Sequence, residues 1–493
     1  MVKTKVVVIG AGFSGISTAT HLANEGYEVI VLEKNSTLGG RARKFETQGF
    51  VFDMGPSWYW MPDVFDRYFE NFGKKTSDFY QLKRLDPSYA VIFGDQDVLL
   101  VPADLNSFKE EMEKLEPGAG LKLEKFLAQG AYKYKRGIHD LVHRPGLSLL
   151  EFADFSLLRD LFKMDLFQSM SKHIRKYFQN EKIIRLMEFP VLFLGETAQN
   201  IPALYSLMNY ADIALGTWYP MGGMHKIIEG MVTLAKEKGV KFTTNAEVIK
   251  INTNRDRIES VTLSSGEIIH CDVLVASADY HHVDHQLLEK KFRNYSESYW
   301  DKRVMAPSSL IFYLGINKKL KNLQHHNLFF DEPLEPHADA IYRNPRWPER
   351  PLFYVSVPSV SDPDVAPEGN ENLFILIPLA PDLNDDETIR EKYFDMVMDR
   401  LEKLTQQSIR PFIHFKQSYA HRDFKSDYHA FKGNAYGLAN TLKQTALLKP
   451  SLKNKYLPNL YYTGQLTVPG PGVPPSLISG EVVAKEVMKS TKN

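Results

Sequence analysis

The feature that most constrains this chain is a glycine-rich turn between two short apolar runs near the N-terminus. Val6–Ile9 is apolar and β-branched, as expected of a buried parallel strand, and it leads into Gly10, Gly12 and Gly15 in the spacing G-x-G-x-x-G. Apolar residues at helical spacing follow, and Tyr27–Leu32 reads as a second strand. A strand, a glycine turn, a helix and a strand in this order predict a Rossmann-type βαβ unit.

Each of the three glycines has a physical reason in a dinucleotide site. Gly10 makes the tight turn, Gly12 lets the backbone approach a pyrophosphate, and Gly15 lets the helix pack closely on the strand. The helix N-terminus offers free N–H groups and a positive dipole end to the phosphates. Glu33, at the end of the second strand, is placed to accept hydrogen bonds from the adenosine ribose and to repel an NADP 2′-phosphate.

A second glycine pair and an arginine follow the acid. Gly39 and Gly40 again allow bare backbone contact, and the planar guanidinium of Arg41 can pair with phosphate. Gly55 and Pro56 then stand among aromatic residues in the segment GFVFDMGPSWYW. At this point the chain resembles the flavin amine oxidase and carotenoid desaturase superfamily, in which FAD is held by such a series. The resemblance implies FAD as the cofactor.

The same resemblance assigns a second cofactor segment in the middle of the chain. Tyr219, Pro220, Gly222 and Gly223 match a Y-P-x-G-G motif, which is followed by a helix and a strand. In the superfamily, a valine of that strand contacts adenine through its backbone, and this role carries over to Val248. Segments distant in sequence are therefore expected to return to one sheet.

The C-terminal block, LYYTGQLTVPGPGVPPSLISG, carries the most specific likeness. A strand reaches Gly464, a loop rich in proline and glycine follows, and a helix begins near Pro474, where proline is favoured. The block resembles the carotenoid desaturase signature, from which it departs at Val468 and Pro475. The helix N-terminus is expected to face the flavin and to stabilise its reduced, anionic form.

The closest likeness is to bacterial phytoene desaturases, and it extends over essentially the whole chain. It implies an FAD-dependent oxidoreductase that desaturates phytoene stepwise towards lycopene, with a lipophilic carotenoid substrate and with oxygen or a quinone as electron acceptor. The alternatives are a desaturase of a hydroxylated or later carotenoid, a carotenoid isomerase, and an amine-oxidase-type oxidoreductase. A cofactor-free escort protein is a further alternative, against which the intact glycines speak. No catalytic acid or base can be named from the sequence.

Composition excludes several other classes of partner. Lys+Arg and Asp+Glu both number 60, so charge gives no case for a nucleic-acid partner. The single cysteine, Cys271, excludes an internal disulfide and suits a reducing cytoplasm. We expect no metal site, because the pairs His281–His282 and His325–His326 are read as strand neighbours that point to opposite faces. We also expect no signal peptide and no transmembrane span.

Leu157–Phe189 is the most amphipathic stretch. It is consistent with a helix that covers the protein's own core or with one that lies in a bilayer interface. Because a C40 hydrocarbon has to be collected from a bilayer, we expect peripheral, monotopic contact on the cytoplasmic side of the membrane. The stripe comprises Leu158, Leu161, Phe162, Leu166, Phe167, Met170 and Phe178, beside Lys163, Lys172, Arg175 and Lys176.

The predicted fold class is α/β. A Rossmann-type FAD-binding domain, discontinuous in sequence, is expected to comprise residues 1–75, 215–280 and 456–493. Residues 76–214 are expected to form a substrate and helical lid region that faces the membrane, and residues 281–455 a substrate-binding α+β domain. Within the second cofactor segment, Ile258–Leu263 and Ile268–Leu274 are expected to form a hairpin.

Overall fold

The structure is a computed structural model that describes residues 3–148, 151, 164–165 and 168–492. Most of its strands are short and apolar. In chain order they are β1 Lys5–Ile9, β2 Glu28–Leu32, β3 Lys44–Thr47, β4 Phe50–Asp53, β5 Leu82–Arg84, β6 Tyr89–Gly94, β7 Asp97–Val101, β8 Trp218–Pro220, β9 Lys241–Thr243, β10 Val248–Asn254, β11 Arg257–Leu263, β12 Ile268–His270, β13 Val273–Ala276, β14 Ser308–Ile316, β15 His326–Phe329, β16 Phe353–Ser356, β17 Glu371–Leu379, β18 Ile413–Tyr419 and β19 Leu460–Tyr462.

The α-helices of the described residues range from single turns to five-turn helices. They are α1 Phe13–Asn24, α2 Pro62–Glu70, α3 Leu105–Leu115, α4 Ala119–Tyr134, α5 Met170–Ile174, α6 Glu181–Glu188, α7 Leu207–Asn209, α8 His225–Glu237, α9 Tyr280–His282, α10 Glu297–Asp301, α11 Leu334–Tyr342, α12 Glu387–Thr405, α13 His421–Tyr428 and α14 Val473–Thr491. Short 3₁₀ and π turns join several of them, for example Lys135–Asp140 and Phe189–Leu194.

The first layer is a five-stranded parallel sheet in the order β19-β13-β1-β2-β9. Its strands come from three distant parts of the chain, so the carboxyl ends of β1, β13 and β19 lie side by side. Helices α1 and α14 pack against each other beside this sheet. A Cβ on Gly480 of α14 would lie only 2.5 Å from the carbonyl oxygen of Ser14, so only a glycine permits this approach. This contact brings the N-termini of both helices to the same sheet edge.

The second layer is a mixed seven-stranded sheet in the order β18-β14-β17-β16-β15-β6-β7. Its central strands, β14 and β17, are antiparallel and buried along nearly their whole length. One face packs on α12, and alternate residues of the other face point towards the first sheet. The mixed α/β class is thus confirmed, whereas the division of the chain at residues 76, 215, 281 and 456 stays a prediction.

The hairpin predicted after β11 is shorter than expected. Strand β12 ends at His270, and β13 begins only at Val273, where the chain has left the three-stranded sheet for the parallel one. Cys271 and Asp272 make this crossing, and the N–H of Asp272 donates to the carbonyl of Lys5. Ile268–Leu274 contains no glycine or proline to mark a break, so the sequence does not show the change of sheet.

The amphipathic stretch is not one helix in the part of it that the structure describes. Helix α5 ends at Ile174, α6 begins at Glu181, and Met170 and Phe178 are both buried in the core. For these two residues the membrane-facing reading is therefore wrong, since an inward-facing stripe gives the same sequence period. Leu158, Leu161, Phe162, Lys163, Leu166 and Phe167 lie outside the described residues. Among the residues that are described, no helix combines the length and the apolarity needed to cross a bilayer.

Candidate active site

A cavity of about 750 Å³ lies between the parallel sheet and the seven-stranded sheet. Its volume is in the range of small-molecule and cofactor sites. The predicted site residues line this cavity with one exception, Gly15; those that line it are Gly10, Gly12, Glu33, Gly39, Gly40, Arg41, Gly55, Pro56, Val248, Gly464 and Pro474. The structure thus brings these residues together, whereas their contact with FAD stays a prediction.

The glycine turn leaves its backbone open to the cavity. Gly10 has a φ of +96°, which favours glycine, and its N–H donates to the carbonyl of Leu32 at 2.8 Å. A Cβ on Gly12 would meet no atom within 4 Å, because it would project into the cavity. A Cβ on Gly15, in contrast, would lie 2.1 Å from the Gly10 carbonyl oxygen. Gly12 therefore fits close approach by a ligand, and Gly15 serves helix–strand packing.

Glu33 is held at the edge of this turn. One carboxylate oxygen accepts from the N–H of Ala11 at 2.8 Å, and the other accepts from the N–H and the side-chain amide of Asn35, both at 2.9 Å. Each carboxylate oxygen has two lone pairs, so the group can still accept bonds from ribose hydroxyls in the cavity that it lines.

Arg41 is a half-buried cation that lines the cavity. Its guanidinium donates to the carbonyl of Asn434 at 3.2 Å and lies over the ring of Tyr428, with 5.0 Å from Cζ to the centroid. Its Nε has no hydrogen-bond partner, and Arg41 forms no ion pair with any described residue. Burial lowers the pKa of Arg41 from its ordinary value. A phosphate would supply the missing charge and acceptors, so the residues present fit a dinucleotide.

Arg43, next along the chain, has a different environment. It pairs with Asp427 and donates to the Tyr428 hydroxyl at 3.2 Å, so its charge is already compensated. His429 continues the same segment and contacts Glu247 at 2.9 Å. These contacts hold the C-terminal end of α13 at the side of the cavity that is predicted to bind the dinucleotide.

Two helix N-termini face the cavity. Gly12 and Gly472 occupy the N-cap positions of α1 and α14, and neither helix start is capped by a side chain. Helix α14 begins at Val473, one residue before Pro474, close to the predicted start. Uncapped N–H groups and positive dipole ends favour an anionic ligand such as FAD and its reduced flavin ring.

The opposite wall is the face of the seven-stranded sheet. Ile311, Leu376, Tyr354 and Leu328 lie in one row across four strands, and all four line the cavity. Together with Phe189 they form a largely apolar wall. Such a wall suits a hydrocarbon and excludes water.

Sequence reasoning missed two polar residues of this wall. The Tyr354 hydroxyl and His326 Nδ1 are 2.6 Å apart, and the imidazole stacks on Trp58 with centroids 4.1 Å apart. The pair His325–His326 in a strand-like segment was the sequence signal that could have identified them. The pairing of β15 with β16, which brings Tyr354 to it, cannot be read from one sequence.

The other histidine pair needs a correction. His281 and His282 belong to a helical turn, α9, so the strand argument against a metal site does not hold there. His281 and His285 both contact Glu297, and among the described residues these three alone offer ligand atoms all within 4.8 Å of one another. The guanidinium of Arg293 is 3.3 Å from His285 Nδ1, which opposes a cation there.

Comparison with known proteins identifies the family. The flavin-containing amine oxidoreductase family matches residues 13–488, nearly the whole chain. The chain belongs to this family. It is 39% identical to a carotenoid 3,4-desaturase of Haloarcula japonica, over 98% of both chains. It is 31% identical to a zeta-carotene-forming phytoene desaturase of Myxococcus xanthus, over 98% of this chain and 94% of the relative.

A solved oxidoreductase structure from Methanosarcina mazei shares the fold. It is 18% identical, with a TM-score of 0.64, and the match covers 99% of this chain and 100% of that one. The family and its desaturase members make this protein an FAD-dependent desaturase. The expectation of an enzyme and that of FAD are confirmed, and the escort alternative is wrong.

Proposed function

We propose that this desaturase dehydrogenates an acyclic C40 carotenoid inside the cavity between the two sheets. The observation that carries the proposal is the continuity of this cavity, which runs from the glycine turn and Arg41 to the apolar row at Ile311 and Leu376. One end fits a dinucleotide, and the other fits a hydrocarbon. The relatives named above act on carotenoids, which supports the same class of substrate.

The division of labour follows from the wall residues. FAD, when bound, supplies a hydride acceptor. Gly12, Glu33 and Arg41 are proposed to hold its dinucleotide part, and Gly464 and Pro474 to bring the N-terminus of α14 to its ring. The apolar row orients the polyene and keeps water away, which is the main contribution that a protein makes to such a reaction.

Two substrates are candidates. Phytoene, converted stepwise towards lycopene, is the substrate that the resemblance to phytoene desaturases implied. A later carotenoid desaturated at its 3,4 bond is the second candidate, and the higher identity to the Haloarcula relative, 39% against 31%, favours it. Isomerisation and amine oxidation have no comparable observation in their favour.

Expression in two pigment-producing hosts separates these candidates. In a host that accumulates phytoene, new absorbance with lycopene-like fine structure supports the first. In a host that accumulates lycopene, a product with a longer polyene supports the second. Gly12→Val is the matched control, since the same host then makes a protein whose cavity is obstructed at the turn. Unchanged pigments in both hosts, with FAD-loaded protein present, would contradict the proposed function.

We also propose peripheral attachment to the cytoplasmic side of the membrane, with oxygen or a quinone as electron acceptor. The insolubility of a C40 hydrocarbon in water supports a membrane source. The cavity is lined in part by Ile138, Leu141 and Met164, and Met164 belongs to the amphipathic stretch Leu157–Phe189. Co-sedimentation of the full chain with anionic liposomes tests the attachment. Protein that stays in the supernatant at low salt would contradict it.

A further inference from the structure

A hydrogen-bonded pair of side chains lies within the apolar wall of the cavity. Tyr354 on β16 lines the cavity, and His326 on β15 is fully buried behind it, with 2.6 Å between the hydroxyl and Nδ1. The ring of Tyr354 also contacts Trp58, with centroids 5.6 Å apart, and Trp58 follows Gly55 and Pro56 in the same segment. Tyr354 therefore sits where the sheet wall meets the predicted cofactor segment.

The imidazole of His326 lies against aromatic rings. Its plane stacks on Trp58 at an angle of 12°, and the edge of Tyr89 contacts the same indole, with centroids 5.3 Å apart. An indole face attracts a cation, so it would stabilise an imidazolium. His326 Nε2 has no hydrogen-bond partner in the part of the chain that the structure describes. A buried polar atom without a partner calls for an explanation.

We propose that Tyr354 accepts the proton released by desaturation and that His326, as a positioning residue, takes the hydroxyl proton in turn. This inference rests on the proposed carotenoid desaturation. One substrate C–H bond breaks with its electron pair, which leaves as hydride to the flavin. The neighbouring C–H bond breaks to give the new C=C bond, and its proton goes to the Tyr354 oxygen. The original hydroxyl proton passes to His326 Nδ1, and the charge of the resulting imidazolium balances the two-electron-reduced flavin.

Both groups are neutral before the reaction, because burial raises the pKa of the Tyr354 hydroxyl and lowers the pKa of His326 well below its ordinary value. The imidazole is therefore free to accept a proton, but it is a weak base. The nearest titratable neighbour on the same strand segment, His325, is also held neutral by burial, which lowers its pKa to about 3. A carbon beside a centre that has lost hydride is far more acidic than an ordinary C–H group, so a neutral acceptor is sufficient.

The first test is Tyr354→Phe in the FAD-loaded enzyme. Anaerobic stopped-flow absorbance follows flavin reduction by phytoene or by lycopene supplied in liposomes. We expect reduction to slow by about 10²-fold or more, the usual contribution of a positioned acid–base group. FAD content, reduction by dithionite and quenching of tryptophan fluorescence by the carotenoid should remain as in the wild type. Reduction at the wild-type rate would overturn the inference.

Tyr313→Phe is the matched control. Tyr313 faces the same side of the sheet, two residues along β14 from Ile311, but its hydroxyl donates to the backbone carbonyl of Met54 at 2.7 Å and has no titratable acceptor. This variant should reduce its flavin at the wild-type rate. An equal loss in Tyr313→Phe and Tyr354→Phe would assign both effects to packing and would contradict the relay.

His326 is tested by rescue. His326→Ala should reduce its flavin slowly, and added imidazole should raise that rate at least tenfold. Because this comparison is made within one protein, it remains valid even where Tyr354→Phe fails to load FAD. His326→Gln keeps an acceptor for the hydroxyl but cannot carry the proton, so it should stay slow. Full activity of the Gln variant, or no rescue by imidazole, would overturn the relay. A wild-type enzyme that neither phytoene nor lycopene reduces would instead contradict the proposed function, and the inference with it.

Discussion

Gly15 and Gly10 approach so closely that a Cβ on Gly15 would lie 2.1 Å from the Gly10 carbonyl oxygen and 3.0 Å from the Ser277 side chain. Gly15→Ala should therefore push α1 away from β1 and β13 and destabilise the protein by roughly 1–3 kcal/mol, the scale of overpacking in a core. Thermal unfolding of the cofactor-free chain is the measurement. Gly26→Ala is not a suitable control because of its positive φ. Gly94→Ala is the matched control, because a Cβ there would meet no atom within 4 Å and its φ is not in the left-handed region. An unchanged midpoint would contradict the packing argument.

Gly12→Val should leave the fold intact and abolish FAD binding, because its side chain would project into the cavity rather than into the core. We expect a folded protein with a wild-type circular dichroism spectrum that retains no FAD after gel filtration. The absorbance ratio at 450 and 280 nm reports the FAD content. A full complement of FAD in this variant would show that the dinucleotide lies elsewhere.

Arg41→Met should weaken FAD binding, since it removes a half-buried charge that forms no ion pair with any described carboxylate. Hydrogen bonds to charged groups contribute about 1.5–3 kcal/mol, so the Kd should rise by roughly 10- to 100-fold. Fluorescence titration of the cofactor-free protein with FAD measures it. Arg41→Lys keeps the charge and should lose less. Equal affinity of Arg41→Met and the wild type would rule out a phosphate contact.

The N-terminus of α14 should tune the flavin potential. Replacing Pro474 and Pro475 together by Gly loosens the first turn of the helix, so its positive end stabilises the reduced flavin less, by an amount on the order of 1 kcal/mol. The midpoint potential should fall, and an anaerobic redox titration measures it. An unchanged potential would count against a flavin ring at this helix end.

Asp212 should make the stability of the protein depend on pH. Burial raises its pKa to about 7, although the Tyr89 and Thr217 hydroxyls, which donate to it, act in the opposite direction. Because the folded-state pKa lies above the unfolded one, this contribution is complete below about pH 4 and is lost as pH rises towards 7. The free energy of unfolding of Asp212→Asn, measured relative to that of the wild type at the same pH, should therefore be higher at pH 8 than at pH 5. Urea midpoints at both pH values test this, and a constant difference would contradict it.

Much of the cofactor side was readable from the sequence, because each requirement there is local. A glycine at the turn, an acid after the second strand and a glycine pair with arginine all act through backbone geometry within a few residues. Gly12 and Gly15 differ in what surrounds them: Gly12 faces the cavity, whereas Gly15 faces the end of β1. The glycine motif already assigns the packing role to Gly15 and the approach of a ligand to Gly12, and the structure places the two residues accordingly.

The substrate side was much less predictable. Its wall is a row of residues from four strands whose order, β14-β17-β16-β15, does not follow the chain, so no sequence period marks it. Tyr354 is brought to His326 by one such pairing, that of β15 with β16. The amphipathic stretch failed for a different reason: a stripe that faces the core and one that faces lipid have the same spacing, as Met170 and Phe178 show.

The packing of α14 on α1 has a consequence for biosynthesis. The Ser17 hydroxyl donates to the carbonyl of Leu477, a residue 460 positions further along the chain. The cavity, which Gly464 and Pro474 help to line, therefore cannot be complete before the ribosome has added these residues. Until then β13 lacks its neighbour β19, and the glycine turn lacks the facing N-terminus of α14.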